Sequence, residues 1–327
     1  MRRSRLDEDD IRTRARPGGS RRRTRDRPAF AQALPATVVA VDRGRYGCAL
    51  DTGALVSAVR GADSRRSAVV VGDRVAVDGD LSGAPDTLAR IVRVEPRRTL
   101  LRRSADDTDP VERPVVANAD LLVSVVALAD PGPQPRLLDR VLVAAYDGGL
   151  DPLLVLTKAD LGDPAALQAL YTPLGVAVEA VDREAPLGPL LERLTGRVSV
   201  FFGSSGVGKS TLVNRLVPDA FRATGGVNTV TGHGRHTSSS VVLLELPGGG
   251  AVIDTPGVRS FGLGHVSVAR VLAAFPDLAE GAADCPPGCP HTADTPDCAL
   301  DAWVAAGHAE PARLTSLRRL LASRDEA

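Results

Sequence analysis

Residues 201–216 read FFGSSGVGKSTLVNRL, and this run narrows the possible folds further than any other part of the chain. Gly203, Ser204, Ser205, Gly206, Val207, Gly208, Lys209 and Ser210 fit G-x-x-x-x-G-K-[ST] in full, between the strand-like RVSVFF and a helix-like continuation. The pattern requires a buried strand, a glycine-rich turn and a helix whose first N–H groups face a ligand. Backbone N–H groups then wrap phosphates, Lys209 reaches the β- and γ-phosphates, and Ser210 offers its hydroxyl to Mg²⁺, with Thr211 beside it in the first turn. An α/β domain that holds a nucleoside triphosphate is expected.

The order of the remaining motifs is unusual. Thr157-Lys158-Ala159-Asp160 closes the apolar run PLLVLT, upstream of the phosphate loop. The Asp160 carboxylate can accept two hydrogen bonds from guanine N–H groups that adenine lacks, and the Lys158 stem can lie along the base. The other reading is a helix start capped by Thr157 or Asp160, which accounts for the Asp but not for the Lys. Only Val178-Glu179-Ala180 stands where a second base-side segment is expected, with the backbone of Ala180 as its candidate contact. Downstream, Asp254-Thr255-Pro256-Gly257 ends the strand-like AVID, where Asp254 can hold Mg²⁺ through water and Gly257 can offer its N–H to the γ-phosphate. A conventional GTPase writes the base reader after the phosphate loop; here it comes first.

Lysine usage singles out the same places. Of 40 basic residues only Lys158 and Lys209 are lysine, and both lie inside the nucleotide motifs. A compact ammonium on a flexible stem does there what a planar guanidinium does not.

Three folded regions follow an Arg-rich arm. Residues 1–28 hold eleven Arg against five acidic residues and almost no apolar ones, so residues 1–34 are expected to be disordered, either as a solubilising tail or as an arm along phosphates. Short β-rich runs within 35–100 predict a small barrel of the oligonucleotide-binding (OB) kind, or another small β-domain, with Tyr46 nearly the only aromatic available for stacking. Across 101–265, the runs DLLVSVVAL, PLLVLT, GVAVEAV, RVSVFF, VVLLEL and AVID read as parallel strands covered on both faces, with helices near 136–147 and 163–171. No apolar run approaches the ~20 residues of a membrane span. No secretory signal is evident, so a cytoplasmic location is expected.

Residues 266–327 contain Cys285, Cys289, His291 and Cys298, a C-x3-C-x-H-x6-C pattern using three of the four cysteines. Three thiolates and one imidazole suit a closed, structural Zn²⁺ site, with disulfides the poorer alternative in the cytosol. Cys48 reads as a small buried hydrophobe. Val258 stands where many GTPases place a water-orienting Gln, which leaves His236 in GHGRHTSSS as the substitute; the alternative is a loop residue or an RNA contact. Thr237 or Ser238 would reach Mg²⁺.

The order TKAD, GSSGVGKST, GRHTSSS, DTPG, together with VGDRV, RRTLLRR, VANADLLV and the terminal Cys/His cluster, resembles the ribosome small subunit-dependent GTPases, the RsgA family of circularly permuted GTPases. The resemblance implies an N-terminal OB barrel, a circularly permuted P-loop GTPase domain and a C-terminal α-helical zinc-binding region. It also implies a GTP-hydrolysing factor that docks on the small ribosomal subunit and its rRNA, assists its late maturation and is stimulated by it. A monomer is expected. A nonenzymatic RNA-binding scaffold with a passive nucleotide switch and a P-loop ATPase are the competing readings. The permutation frees the segment after Gly257 to run straight into the C-terminal region, so a γ-phosphate ordering residues 255–265 would pull on that region.

Overall fold

The β-rich N-terminal runs close on themselves. In a computed structural model that describes residues 30, 32–61, 68–84, 86–103, 111, 113–218, 241–255, 263 and 266–325, five strands form a barrel: β1 (Leu34–Asp42), β2 (Arg45–Leu50), β3 (Leu55–Arg60), β4 (Arg74–Gly79) and β5 (Ala89–Val94). Their neighbours run β1-β2-β3-β5-β4, and β4 returns to β1. Only β3 and β5 pair in parallel, which makes a five-stranded Greek-key barrel of the OB kind. Alternate residues such as Ala36, Val38, Val75, Val77 and Ile91 fill its interior. Cys48 is among them, and burial pushes its thiol up to about 12, so it packs as the expected small hydrophobe. The Arg-rich arm of residues 1–29 lies outside the described residues.

A hairpin of β6 (Leu100–Arg103) and β7 (Arg113–Ala117) follows the barrel. Asp73, whose side chain is fully buried, accepts from Arg97 at 2.7 and 2.8 Å, and the Asn118 amide donates to the Gly72 carbonyl at 2.9 Å. These bonds fix the barrel to the start of the next domain.

That domain is a doubly wound sheet of β8 (Leu121–Ala127), β9 (Asp151–Thr157), β10 (Ala177–Ala180), β11 (Val198–Phe202), β12 (Val242–Glu245) and β13 (Ala251–Asp254), in the order β10-β9-β8-β11-β13-β12. Among the described residues four helices cover it: α1 (Pro135–Gly148), α2 (Ala165–Tyr171), α3 (Gly188–Leu194) and α4 (Lys209–Leu216). Strand residues alternate between two apolar layers, as the period of two requires. Leu122, Leu154, Leu156, Val200 and Ile253 pack with α1, whereas Val123, Val155, Phe201 and Val252 pack with α3 and α4. The chain writes β8, β9 and β10 outward on one side, returns to the centre at β11, and then fills the other side. This is the permuted order that the motifs predict.

One strand departs from expectation. The apolar pattern of VVLLEL predicts a parallel strand, yet β12 runs antiparallel to β13. The tight turn at 246–250, closed by Leu246 N–H to the Gly250 carbonyl and Gly249 N–H to the Leu246 carbonyl, is too short for a parallel crossover. At its outer side β12 meets β1 through the single pair Ala40–Val242, joining barrel and domain into one eleven-stranded sheet.

The C-terminal region is helical, with α5 (Val268–Ala273), α6 (Pro276–Gly281), α7 (Ala299–Ala305) and α8 (Pro311–Asp325). Leu314, Leu317, Leu320 and Leu321 of α8 share an apolar layer with α1. Arg319 bonds the buried Asp139 of α1 at 2.9 Å and lies over the Tyr171 ring. Burial outweighs Arg319 and raises the Asp139 carboxyl above its ordinary value. Among the described residues no helix is long and apolar enough to cross a membrane.

Candidate nucleotide site and metal centre

Three motifs meet at the C-terminal ends of the parallel strands β9, β11 and β13, with β8 between β9 and β11. The phosphate loop leaves β11 at Gly203, where a Cβ would stand 2.8 Å from the Val125 carbonyl oxygen, so a side chain is excluded by close approach. Gly208 takes the left-handed φ of 85° at the start of α4, where the chain turns into the helix. Lys209 pairs with the Asp254 carboxylate at the end of β13, with side chains 10% and 22% exposed. Thr255, buried, donates to the Phe201 carbonyl at 2.7 Å and ties the start of DTPG to the phosphate-loop strand. Ser210 and Thr211 are exposed on the first turn of α4, open to a ligand.

The TKAD segment at the end of β9 is bonded directly to this loop. The buried Thr157 hydroxyl donates to the Val207 carbonyl at 2.6 Å and lies 3.3 Å from the Val126 carbonyl. Neither Thr157 nor Asp160 caps α2: Pro164 occupies the cap, and Asp163 accepts the Ala165 N–H at 2.9 Å. The capping alternative therefore does not account for TKAD. Lys158 adopts φ 56° and donates from its ammonium to the Asp130 carbonyl, while Asp160 is exposed at the mouth. Ala180 is also exposed, and Glu179 is turned aside by its ion pair with Arg193 of α3 at 2.5 Å. Gly257, His236, Thr237 and Ser238 lie outside the described residues.

Two residues of this rim were missed from sequence. Asp130, in the loop after β8, gives Lys158 its partner through a backbone carbonyl, which leaves no signal in side-chain type. Asp182 accepts from Ala185 N–H at 2.5 Å and Glu184 N–H at 2.8 Å, bonds that hold its carboxyl below the ordinary carboxylate value. It shapes the loop that follows β10, where the Val181 carbonyl accepts from Ala159 N–H at 3.3 Å. A carboxylate two and three residues before the amides it binds is a readable turn signal.

Cys285, Cys289, His291 and Cys298 bring their donor atoms within 4.8 Å of one another and can hold a metal ion. His291 Nδ1 lies 3.6 Å from Cys285 Sγ and 3.7 Å from Cys298 Sγ. A tetrahedral Zn²⁺ with its usual bond lengths predicts an S to N edge of about 3.6 Å. The Ala299 N–H points at Cys285 Sγ at 3.3 Å, a donor placed for a thiolate. Burial pushes the Cys285 thiol up to about 11 and lowers His291, keeping the imidazole in its neutral, ligating form. From α8, Arg318 bonds both Asp301 oxygens at 2.7 and 2.8 Å and the His291 carbonyl at 3.2 Å, so the cluster is tied to the helix that packs on α1.

Known proteins share this fold. Solved structures of YjeQ from Thermotoga maritima and of YloQ, a circularly permuted GTPase, superpose with TM-scores of 0.62 and 0.64. Each is 23% identical in sequence; 90% of this chain is covered in both cases, with 99% and 96% of theirs. A small ribosomal subunit biogenesis GTPase RsgA of Pseudomonas fluorescens (strain SBW25) is 39% identical over 297 residues, covering 86% of this chain and 84% of that protein. The protein of the same name from Pseudomonas syringae pv. tomato is 42% identical over 265 residues, covering 78% and 75%. Residues 94–264 match the RsgA GTPase family. The permuted strand order, the motifs on one rim and these likenesses agree: the chain belongs to the RsgA GTPase family.

Proposed function

We propose that this chain hydrolyses GTP and assists maturation of the small ribosomal subunit, the role that its relatives' names carry. The observation that supports it most is the bond from Thr157 to the Val207 carbonyl, which locks a guanine-type base reader onto a phosphate loop despite their reversed order. Asp160 would accept the two N–H groups of guanine, with Lys158 along the base and the backbone of Ala180 closing the other edge. The loop from Gly203 to Lys209 would wrap the phosphates, and Gly257 would offer its N–H to the terminal one. Ser210, Thr237 and Asp254 are the groups that would hold Mg²⁺, which neutralises charge developing on the phosphates. His236 would orient the attacking water in place of the missing Gln.

The Cys₃His cluster would hold one structural Zn²⁺. The rRNA would meet the barrel: Arg45, Val59 and Arg90 stand in register across β2, β3 and β5, and Arg43 occupies the preceding turn. Arg43, Arg45 and Arg90 are exposed and make no ion pair among the described residues, which suits contact with a phosphate backbone. The Arg-rich arm of residues 1–34 would extend that contact. With the barrel at 35–100, the GTPase domain at 101–265 and the zinc region at 266–327, the chain would act as a cytoplasmic monomer.

A GTPase assay with and without purified small subunits tests the reading. Turnover that rises with subunits supports it; GTP binding without turnover in either condition favours the passive scaffold. Asp160→Asn is expected to move preference from GTP toward xanthosine triphosphate, whose altered base edge suits an amide. GTP preferred by an unchanged margin in competition binding would place the base reader elsewhere. His236→Ala is expected to leave GTP affinity nearly intact and lower subunit-stimulated hydrolysis ~10²-fold. Joint loss of subunit binding and turnover would make His236 an RNA contact instead.

A further inference from the structure

The barrel and the α/β sheet meet at one registered strand pair, and that pair lies in line with the nucleotide site. Ala40 of β1 faces Val242 of β12, and Val242 in turn faces Asp254 of β13. Asp254 is the carboxylate paired with Lys209 of the phosphate loop. At ordinary strand spacing this row spans about 10 Å from β13 to β1.

The two attachments of the barrel are unequal. At the β6–β7 joint, a buried ion pair and the Asn118 bond hold it. At β12 it is held, among the described residues, by a single strand pair and a small apolar cluster of Val39 and Ala40 against Ala49, Leu55, Val242 and Leu243. β12 is four residues long. The weaker attachment is the one in register with the nucleotide carboxylate.

We infer that this row couples nucleotide occupancy to the barrel: β12 grips β1 while Lys209 is paired with Asp254, and the grip loosens when GTP takes Lys209 away. The inference rests on the GTP reading of the site. A triphosphate draws the Lys209 ammonium to its own oxygens, and Asp254 exchanges that partner for the Mg²⁺ that would arrive with it. The end of β13 readjusts, and Val242, directly opposite, moves with it. A ligand shifts an equilibrium only through contacts that differ between the two states. Here the differing contact is the Lys209–Asp254 pair.

Amide hydrogen exchange on the full chain tests this, comparing the nucleotide-free protein with the protein saturated by a nonhydrolysable GTP analogue and magnesium. Amides in 38–42 and 242–245 are expected to exchange at least ~5-fold faster with the analogue, while those in 70–73 and 116–118 do not change. By reciprocity, Ala40→Asn, placed on the barrel and outside the nucleotide machinery, is expected to make that exchange fast in both states and to raise analogue affinity ~5-fold. If that variant does not fold, Leu243→Ala removes part of the same contact and is expected to act in the same direction. Analogue bound with unchanged exchange overturns the coupling and leaves the GTP site standing. Unaltered analogue affinity in a folded variant also overturns it. Failure of the wild type to bind guanine nucleotide overturns both readings.

Discussion

Lys209→Ala is expected to abolish tight GTP binding while the protein stays folded. The Lys209 side chain is only 10% exposed and faces Asp254, so its ammonium acts in a partly desolvated site. A hydrogen bond to a charged partner contributes about 1.5–3 kcal/mol, and this ammonium would serve two phosphates, which predicts a loss of ~10²-fold or more. Lys209→Arg is not expected to rescue binding, since a planar fork does not fit where a point charge sits among inward N–H groups. Calorimetric titration with a nonhydrolysable GTP analogue measures both variants. Affinity unchanged in Lys209→Ala would show that the loop from Gly203 to Ser210 is not the site.

The parts of the fold carried by local chemistry were readable before the structure. Apolar runs set the strands, and helices expected near 136–147 and 163–171 appear at Pro135–Gly148 and Ala165–Tyr171. The direction of VVLLEL was not readable from its own residues, because a short buried run carries no sign of parallel or antiparallel pairing. The direction came from the turn at 246–250. At the candidate site, residues whose side-chain type carries the chemistry, such as Lys209, Asp254 and the Cys₃His set, were legible. Contacts made through backbone were not: the partner of Lys158 is the carbonyl of Asp130, and any residue type supplies a carbonyl. The attachment of α8 to α1 was equally hidden. It depends on Arg319 meeting Asp139 across 180 positions, and one arginine among many does not announce its partner.

Removing the metal is expected to unfold the zinc region and spare the nucleotide site. Purified protein should carry about one zinc per chain, and Cys285→Ser combined with Cys289→Ser should abolish its retention. Helices α5, α6 and α7 are six or seven residues long, too short to persist without tertiary support. Structural zinc supplies apparent binding energies of about 10–16 kcal/mol in small zinc modules, enough to decide whether such a region folds. Trp303 is the only tryptophan in the chain, packs where Gly281 leaves room for it, and donates to the Asp277 carbonyl at 2.9 Å, so its fluorescence reports this region alone. The double variant should show a solvent-exposed Trp303 spectrum and a lowered first melting transition, yet bind the GTP analogue within about threefold of wild type, because a change that small is below 1 kcal/mol. That separation is expected because α8 is also anchored to α1 by Leu317, Leu320 and the Arg319–Asp139 pair. A wild type that is metal-free with Trp303 still packed would remove zinc from the fold. Loss of GTP binding together with the Trp303 signal would instead make the metal centre a support of the GTPase domain itself, carried through Arg318, α8 and α1.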